Sequence, residues 1–248
     1  MELTEAFGLP NHAIVAVVGG GGKTSLVFSL AREAHGQGRK AMVTTSTRFT
    51  RPGGSDDFQL LATSDAEALS HVRSASWERP LIVTTGDAAR GRLLGLEEAT
   101  IDGLAGLGLG LIAIEADGSR GRHFKAPGDN EPIIPASTTD VVVSLGLDIL
   151  GKPLTEEFVH RPERVMAITG GVEGEPITAA LVTLVLAHEE GGRKNVPPGA
   201  RFHAMLSSLG EKREIEAGNN IAARLVYAGF TRAVVADPVT RKVYGVMR

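Results

Sequence analysis

The sequence predicts an α/β fold in three layers, with a mostly parallel sheet and helices on both faces. Three observations lead there. Short apolar, β-branched runs alternate with helical patterns along most of the chain. An apolar share of 42% in 248 residues is enough for a full core. The run Leu109 to Ile114 is apolar throughout, as a strand covered on both faces should be.

In order, Glu2 to Phe7 reads as a short helical turn ended by Gly8 and Pro10. Ala13 to Val18 is a buried strand, and the helix behind it places Leu26, Val27, Leu30, Ala31 and Ala34 on one face. Gly36 and Gly38 stop that helix, and Lys40 to Thr44 is the second strand. Arg51 to Asp57 is a Pro/Gly/Ser/Asp loop, Asp65 to Trp77 a helix and Leu81 to Thr85 a strand. After Leu109–Ile114, Val141 to Leu145 is a strand and Pro176 to His188 an apolar helix. Arg201 to Leu206 is a strand and Lys212 to Ala228 a helix that tolerates Gly218. Ala233 to Ala236 is a strand, and Asp237-Pro238-Val239-Thr240 turns the chain into an edge strand at Lys242 to Val246. One domain over 1–248 is expected, with a small lobe or active-site loop at 117–139.

Composition narrows the function. A formal charge of −3 and few aromatics argue against a nucleic-acid partner. The absence of cysteine excludes disulfides, Fe–S clusters and thiolate metal sites, and is compatible with a reducing cytoplasm. No apolar run reaches membrane-spanning length and no secretion signal is visible, so no membrane partner is expected. The histidines show no paired ligand spacing.

The informative stretch is Ile14 to Thr24, I-V-A-V-V-G-G-G-G-K-T. A strand runs into Gly19, Gly20, Gly21 and Gly22, then Lys23, Thr24 and Ser25 open a helix. Glycine lets backbone N–H groups turn inward, and a helix start adds unpaired donors and a positive dipole end. Lys23 supplies a charge for a terminal phosphate, and Thr24 a hydroxyl for Mg²⁺. The spacing is G-x-x-G-K-T rather than G-x-x-x-x-G-K-[ST], and it resembles the loop of ATP-dependent amide ligases of the Mur and folylpolyglutamate type. A flexible glycine linker would not need the flanking strand, lysine and helix. A dinucleotide fingerprint lacks its third glycine, where Thr24 stands, and its acid after the second strand.

Such a loop needs an acid at a neighbouring strand end, and Glu115-Ala116-Asp117 closes the apolar run. Side chains two apart on a strand share a face, so Glu115 and Asp117 can both address one metal with Thr24. The alternative makes Asp117 a turn residue and Glu115 a salt-bridge partner. Past them lies a long aperiodic segment with Arg120, Arg122 and Lys125, which Phe124, Ile133 and Ile134 can anchor as an ordered active-site loop. Asp87 to Arg92 and Asp117 to Arg122 share D-x-x-R-G-R, which puts Arg90, Arg92, Arg120 and Arg122 on one sheet edge as forks for phosphate or carboxylate; chance among loop arginines is the other reading. Thr45, in the hydroxyl cluster Thr45-Ser46-Thr47-Arg48, is at a strand's C-terminal end, where ligands bind, although β-propensity and capping also explain it. His160-Arg161-Pro162-Glu163 reads as a polar turn.

Together V-V-G-G-G-G-K-T-S (Val17–Ser25), V-T-T-S-T (Val43–Thr47), T-T-G-D (Thr84–Asp87), E-A-D-G-S-R-G-R (Glu115–Arg122), K-A-P (Lys125–Pro127), G-L-D-I-L-G-K-P-L (Gly146–Leu154) and V-H-R-P-E (Val159–Glu163) resemble the selenium-dependent hydroxylase accessory proteins, the YqeC-like family. The resemblance implies a cytoplasmic P-loop NTPase-like protein that takes ATP or GTP with Mg²⁺ on Gly19–Thr24 with Glu115 or Asp117. It also implies a role in maturing a selenium-dependent molybdenum hydroxylase or its cofactor, with that enzyme or the cofactor-maturation proteins as partners. One departure stands out. Where an N-K-x-D-like stretch is expected near Met205, the chain reads Ser207-Ser208-Leu209-Gly210, which favours ATP over GTP.

Three readings follow: a Mg²⁺-dependent nucleotide-hydrolysing accessory protein, with Lys23, Asp117, Glu115 and Arg120 at the reaction centre; an ATP-dependent small-molecule ligase or kinase; and a nucleotide-sensing adaptor. In the second, Thr45, Arg90, Arg92, Arg122 and Lys125 face the acceptor. The sequence leaves the oligomeric state open.

Overall fold

The computed structural model describes residues 1–50, 54–88 and 92–248, without the side chains of residues 49, 50, 87, 88, 92 and 93. Its frame is a nine-stranded sheet. In chain order the strands are β1 Ala13–Gly19, β2 Ala41–Thr45, β3 Gln59–Ala62, β4 Leu81–Thr84, β5 Leu111–Glu115, β6 Asp140–Gly146, β7 Arg201–Ser207, β8 Arg232–Asp237 and β9 Lys242–Met247. Across the sheet they run β9-β8-β7-β6-β1-β5-β2-β4-β3. Every neighbouring pair is parallel except β8–β9, where the antiparallel strand forms the edge.

The sheet separates two apolar clusters, and β1 shows why its sequence is an unbroken apolar run. Ile14, Ala16 and Val18 enter one cluster, while Val15 and Val17 enter the other. Helices α1 (Leu3–Phe7) and α2 (Lys23–Gly36) cover the Val15 face, α2 through Leu26, Val27, Leu30, Ala31 and Ala34. Each fully buried large apolar side chain there is worth about 1.5–3 kcal/mol. Five helices cover the other face: α3 Ala68–Ser74, α4 Glu98–Ala105, α5 Pro162–Thr169, α6 Ala179–Ala187 and α7 Lys212–Tyr227. The three-layer α/β arrangement is therefore as the sequence predicts.

Some elements differ from the sequence reading. The strand Gln59–Ala62 alternates between half-buried and exposed positions, an edge-strand pattern that a loop reading of its neighbourhood hides. Helix α5 starts with Pro162 at its first turn, where the missing N–H costs nothing, so the polar turn is a helix start. Helix α6 begins three residues later than its apolar run because Thr178 caps it, accepting from Leu181 N at 3.2 Å. Residues Phe124–Lys125 pair in parallel with Val159–His160 as a two-stranded ribbon, which ties the long segment after β5 to the start of α5. A second small sheet pairs Arg48–Thr50 with Arg92–Leu94, and Arg92–Leu94 with Asp87–Ala88. Among the described residues no helix is long and apolar enough to cross a membrane.

Because β1, β2 and β5 to β8 run the same way, Gly19, Thr45, Glu115, Gly146, Ser207 and Asp237 all end at one edge of the sheet. In open α/β sheets this carboxyl edge is where ligands bind.

Candidate phosphate-binding site

The glycine run leaves β1 in a conformation that only glycine adopts freely. Gly19, Gly21 and Gly22 have φ of 93°, 72° and 78°. A Cβ on Gly19 would stand 2.4 Å from the carbonyl oxygen of Ser144, and one on Gly21 2.6 Å from the nitrogen of Gly146. Left-handed Gly22 is the N-cap of α2 and offers no side-chain cap, so the first N–H groups of the helix stay available to an anion. Gly20 N donates to Ser144 O at 2.8 Å, and Ser144 Oγ donates to Gly21 O, so β6 pins the loop from below.

Lys23 is buried. Its Nζ donates to Gly19 O at 2.6 Å and stands 3.3 Å from Asp117 Oδ1. Beside it Thr24 Oγ1 donates to Glu115 Oε2 at 2.6 Å. Glu115 pairs in register with Val17 of β1 on one side and Thr45 of β2 on the other. Burial pushes its carboxyl above the usual carboxylate range, against the pull of Lys23 and the Thr24 hydrogen bond.

Asp117 has a different role. It is buried, its Oδ2 accepts from Gly19 N at 2.9 Å, and Lys125 Nζ stands 3.0 Å away. Lys125 also donates to Gly118 O at 2.7 Å and pairs with Glu131 at 2.7 Å, while Arg161 forks onto both Glu131 oxygens at 2.8 and 3.2 Å. This chain of charges, buried at Asp117 and Lys125 and partly exposed at Glu131 and Arg161, fastens the 117–135 segment to the glycine loop. Glu131 is driven up by burial, but hydrogen bonds from Arg161 and Lys125 outweigh that and hold its carboxyl down at about 2.

Beside these groups opens a cavity of about 490 Å³, lined by Gly21, Gly22, Lys23, Thr24, Ser25, Arg48, Glu115 and the turn from Gly118 to His123. Four lysine and arginine side chains, Lys23, Arg48, Arg120 and Arg122, face one carboxylate, Glu115, so the space suits an anion. The volume lies in the range of small-molecule sites. Gly19, Gly20, Asp117, Thr45 and Lys125 do not line it. Thr45 is buried with its hydroxyl on Glu115 O at 2.6 Å, and so sits behind the acid rather than beside a ligand. Arg90 lies outside the described residues, as does the side chain of Arg92.

Two cavity residues with charged or titratable side chains, Arg48 and His123, are not among the site residues the sequence points to. Arg48 follows the threonine cluster, and its position at the end of that run was the available signal. His123 lies in the segment already singled out, and its Nδ1 is 2.8 and 2.9 Å from the two carboxylate oxygens of Asp148. Asp148 raises the imidazole above its ordinary value, against partial burial and the charge of Lys23.

The family model described as YqeC protein matches residues 15–163, which include the glycine loop, both acids and the arginine turn. The chain belongs to the YqeC family. A relative in Escherichia coli (strain K12), described as "Uncharacterized protein YqeC", is 35% identical over 191 residues, 76% of this chain and 73% of the relative. The YqeC match stops at Glu163, just inside α5, so it contains all the residues that line the cavity of about 490 Å³.

Proposed function

We propose that this YqeC-family chain binds a nucleoside triphosphate with Mg²⁺ on the glycine loop and hydrolyses it, as an accessory protein in maturing a selenium-dependent molybdenum hydroxylase or its cofactor. The pathway part rests on the family resemblance. The nucleotide part rests above all on one observation: the Thr24 hydroxyl and the Glu115 carboxylate meet at 2.6 Å beside Lys23, on the floor of a cationic cavity. These are hard oxygen donors of the kind Mg²⁺ takes. Among the described residues no group of three or more His, Cys, Asp or Glu could hold a metal by itself.

Thr24 and Glu115 would hold the ion, which when bound polarises a phosphoryl oxygen. The loop N–H groups and the start of α2 cradle phosphate oxygens. Lys23 exchanges its bond to Gly19 O for a phosphate oxygen and neutralises charge there. Arg120 and Arg122 line the cavity, where they can meet charge that develops on a transferring group. Asp117 positions: it fixes Gly19 N–H and the arginine turn without lining the cavity.

The test is equilibrium binding of ATP with and without Mg²⁺, GTP competition, and phosphate release, on the wild type and Lys23→Ala. The variant is expected to lose nucleotide affinity by at least about a hundredfold, roughly 2.7 kcal/mol, and to stay folded, since Asp117 keeps Lys125 and Gly19 N–H. Equal turnover by both proteins would sink the assignment. A GTP preference above about a hundredfold would show that the stretch at the end of β7 reads guanine after all. For the pathway, loss of molybdenum hydroxylase activity in a deletion strain should be rescued by the wild type and not by Lys23→Ala.

A further inference from the structure

A second cavity, of about 420 Å³, opens behind the arginine turn, and Arg120 and Arg122 line both spaces. Its lining also includes Glu156, Glu157, His160, Arg161 and Glu163. The frame is rigid where it matters. His160 pairs in register with buried Lys125, and Arg161 is locked onto Glu131. Arg122 is anchored by a single bond, Nε to Glu156 O at 2.9 Å, which leaves its two terminal nitrogens free. Among the described residues the side chains of Arg120, His160, Glu156, Glu157 and Glu163 have no hydrogen-bond or ion-pair partner. The lining therefore offers both free guanidinium forks and free carboxylates.

We propose that this cavity binds a small hydroxylated anion, its phosphate or carboxylate held by Arg120 and Arg122 and its hydroxyls by Glu156 and Glu157, next to the nucleotide's phosphates. The inference rests on the nucleotide reading for what fills the first cavity, and goes beyond it in assigning a second ligand. Arginine forks match carboxylate and phosphate oxygens in pairs. A bare anion would leave the glutamates near like charge, whereas a ligand with donor groups satisfies both kinds of lining group. His160 supports the same polarity. Burial, with Arg161, Lys125 and Arg120 nearby, lowers its imidazole to about 4, so it is neutral at physiological pH and can both donate and accept.

The experiment is calorimetric titration of the full chain, saturated with a non-hydrolysable ATP analogue and Mg²⁺. The probes are glycerol 2-phosphate, citrate and inorganic phosphate. Glycerol 2-phosphate identifies a phosphate-bearing ligand and citrate a carboxylate-bearing one. At least one of them is expected to bind saturably and at least threefold tighter than inorganic phosphate. Arg122→Gln should weaken that probe about tenfold. Glu157→Gln, at an exposed position with no fold to disturb, should remove its advantage over inorganic phosphate. Absence of saturable binding by both organic probes, or binding that neither variant moves, overturns the proposal. If the analogue itself fails to bind, the nucleotide reading fails separately, and the titration is repeated on the unloaded protein with Lys23→Ala. Probe binding that survives this variant then belongs to the second cavity, and binding lost with it belongs to the first and overturns the proposal.

Discussion

Gly20 is the loop glycine whose replacement tests the packing rather than the backbone. It is not among the glycines with positive φ, so alanine can adopt its conformation. Its neighbours cannot accept the methyl group. A Cβ there would stand 2.7 Å from the carbonyl carbon of His123, 2.8 Å from the nitrogen of Phe124 and 2.9 Å from the oxygen of Arg122. Ordinary carbon contacts are about 3.5–4.0 Å, so the 122–124 backbone must retreat by roughly 0.6–1 Å. That backbone is held by Gly146 N to His123 O at 2.9 Å, by Phe124 at 1% exposure and by the Lys125–Asp117 pair. Overpacking of a fixed site costs about 1–3 kcal/mol. Gly118→Ala is the control, because a Cβ there meets nothing within 4 Å and the backbone is not left-handed. Reduced freedom of the unfolded chain should make it neutral or stabilising by up to about 1 kcal/mol. In urea denaturation Gly20→Ala is expected to lower the midpoint at unchanged slope, and Gly118→Ala to hold or raise it. Nucleotide affinity should fall about tenfold in Gly20→Ala, roughly 1.4 kcal/mol. If Gly20→Ala is as stable as the wild type, the loop is not clamped by the segment after β5, and the bracing argument fails.

Three further predictions concern charge. Glu115→Gln should raise the Mg²⁺ concentration needed for nucleotide binding, whereas Asp117→Asn should mainly destabilise the fold, by about 3 kcal/mol, because it strips compensation from two buried ammonium groups. Mg²⁺ titrations and denaturation curves on both variants would contradict this if the effects were exchanged. The His123 imidazole, raised by Asp148, should be charged over a wider pH range than a free histidine and so attract the polyphosphate; among Lys23, Arg48, Glu115, Arg120 and Arg122 around it, it is the cavity group with an ordinary value nearest neutrality. Affinity is then expected to fall as pH rises through that value and to fall at lower pH in Asp148→Asn; coincident profiles would show that His123 does not meet the ligand. The Glu131 carboxyl, at about 2 against an ordinary 4.5, contributes stability that is complete above about pH 4.5 and disappears as pH falls through about 2. At 23% exposure, solvent screening reduces its nominal worth of about 3 kcal/mol to about 1–2 kcal/mol, which Glu131→Gln should remove together with that acid-dependent step; an unchanged acid-denaturation curve would refute it.

The fold was legible wherever burial on both faces writes itself into consecutive residues. Strands β1, β5 and β6 and the stripe of α2 are unambiguous for that reason. Elements with one face in solvent or with few residues were not. Gln59–Ala62 alternates over only four residues, and α4 places Thr100, Ile101 and Leu104 inward from a stretch that also holds two glutamates, an aspartate and a glycine. Helix α5 reads as a polar turn in the sequence, because its N-cap Arg161 has φ of 65° and no capping side chain, so the usual start signal is missing although Pro162 opens its first turn. The ribbon between Phe124–Lys125 and Val159–His160 joins residues 35 apart in sequence, a pairing that local pattern cannot encode.

At the site, the sequence argument that Glu115 and Asp117 share a face is correct in geometry and incomplete in chemistry. Both carboxylates turn towards the glycine loop, but they meet different partners. Glu115 finds a hydroxyl and an open cavity, so its burial is uncompensated enough to raise its proton affinity. Asp117 finds Gly19 N–H and two ammonium groups, one of them contributed by Lys125 from eight residues further on. Asp117 is held in place by a backbone N–H and two ammonium groups, while a carboxylate that a single hydroxyl holds can exchange that bond for a cation. What separates them is the second lysine, and its arrival depends on Glu131 and Arg161 drawing the segment back across the strand ends. The arginine pair is fixed by the same recoil: Arg120 sits at φ of 51° in the turn between Asp117 and Lys125, so bracing the acid and presenting the forks to both cavities are one structural event.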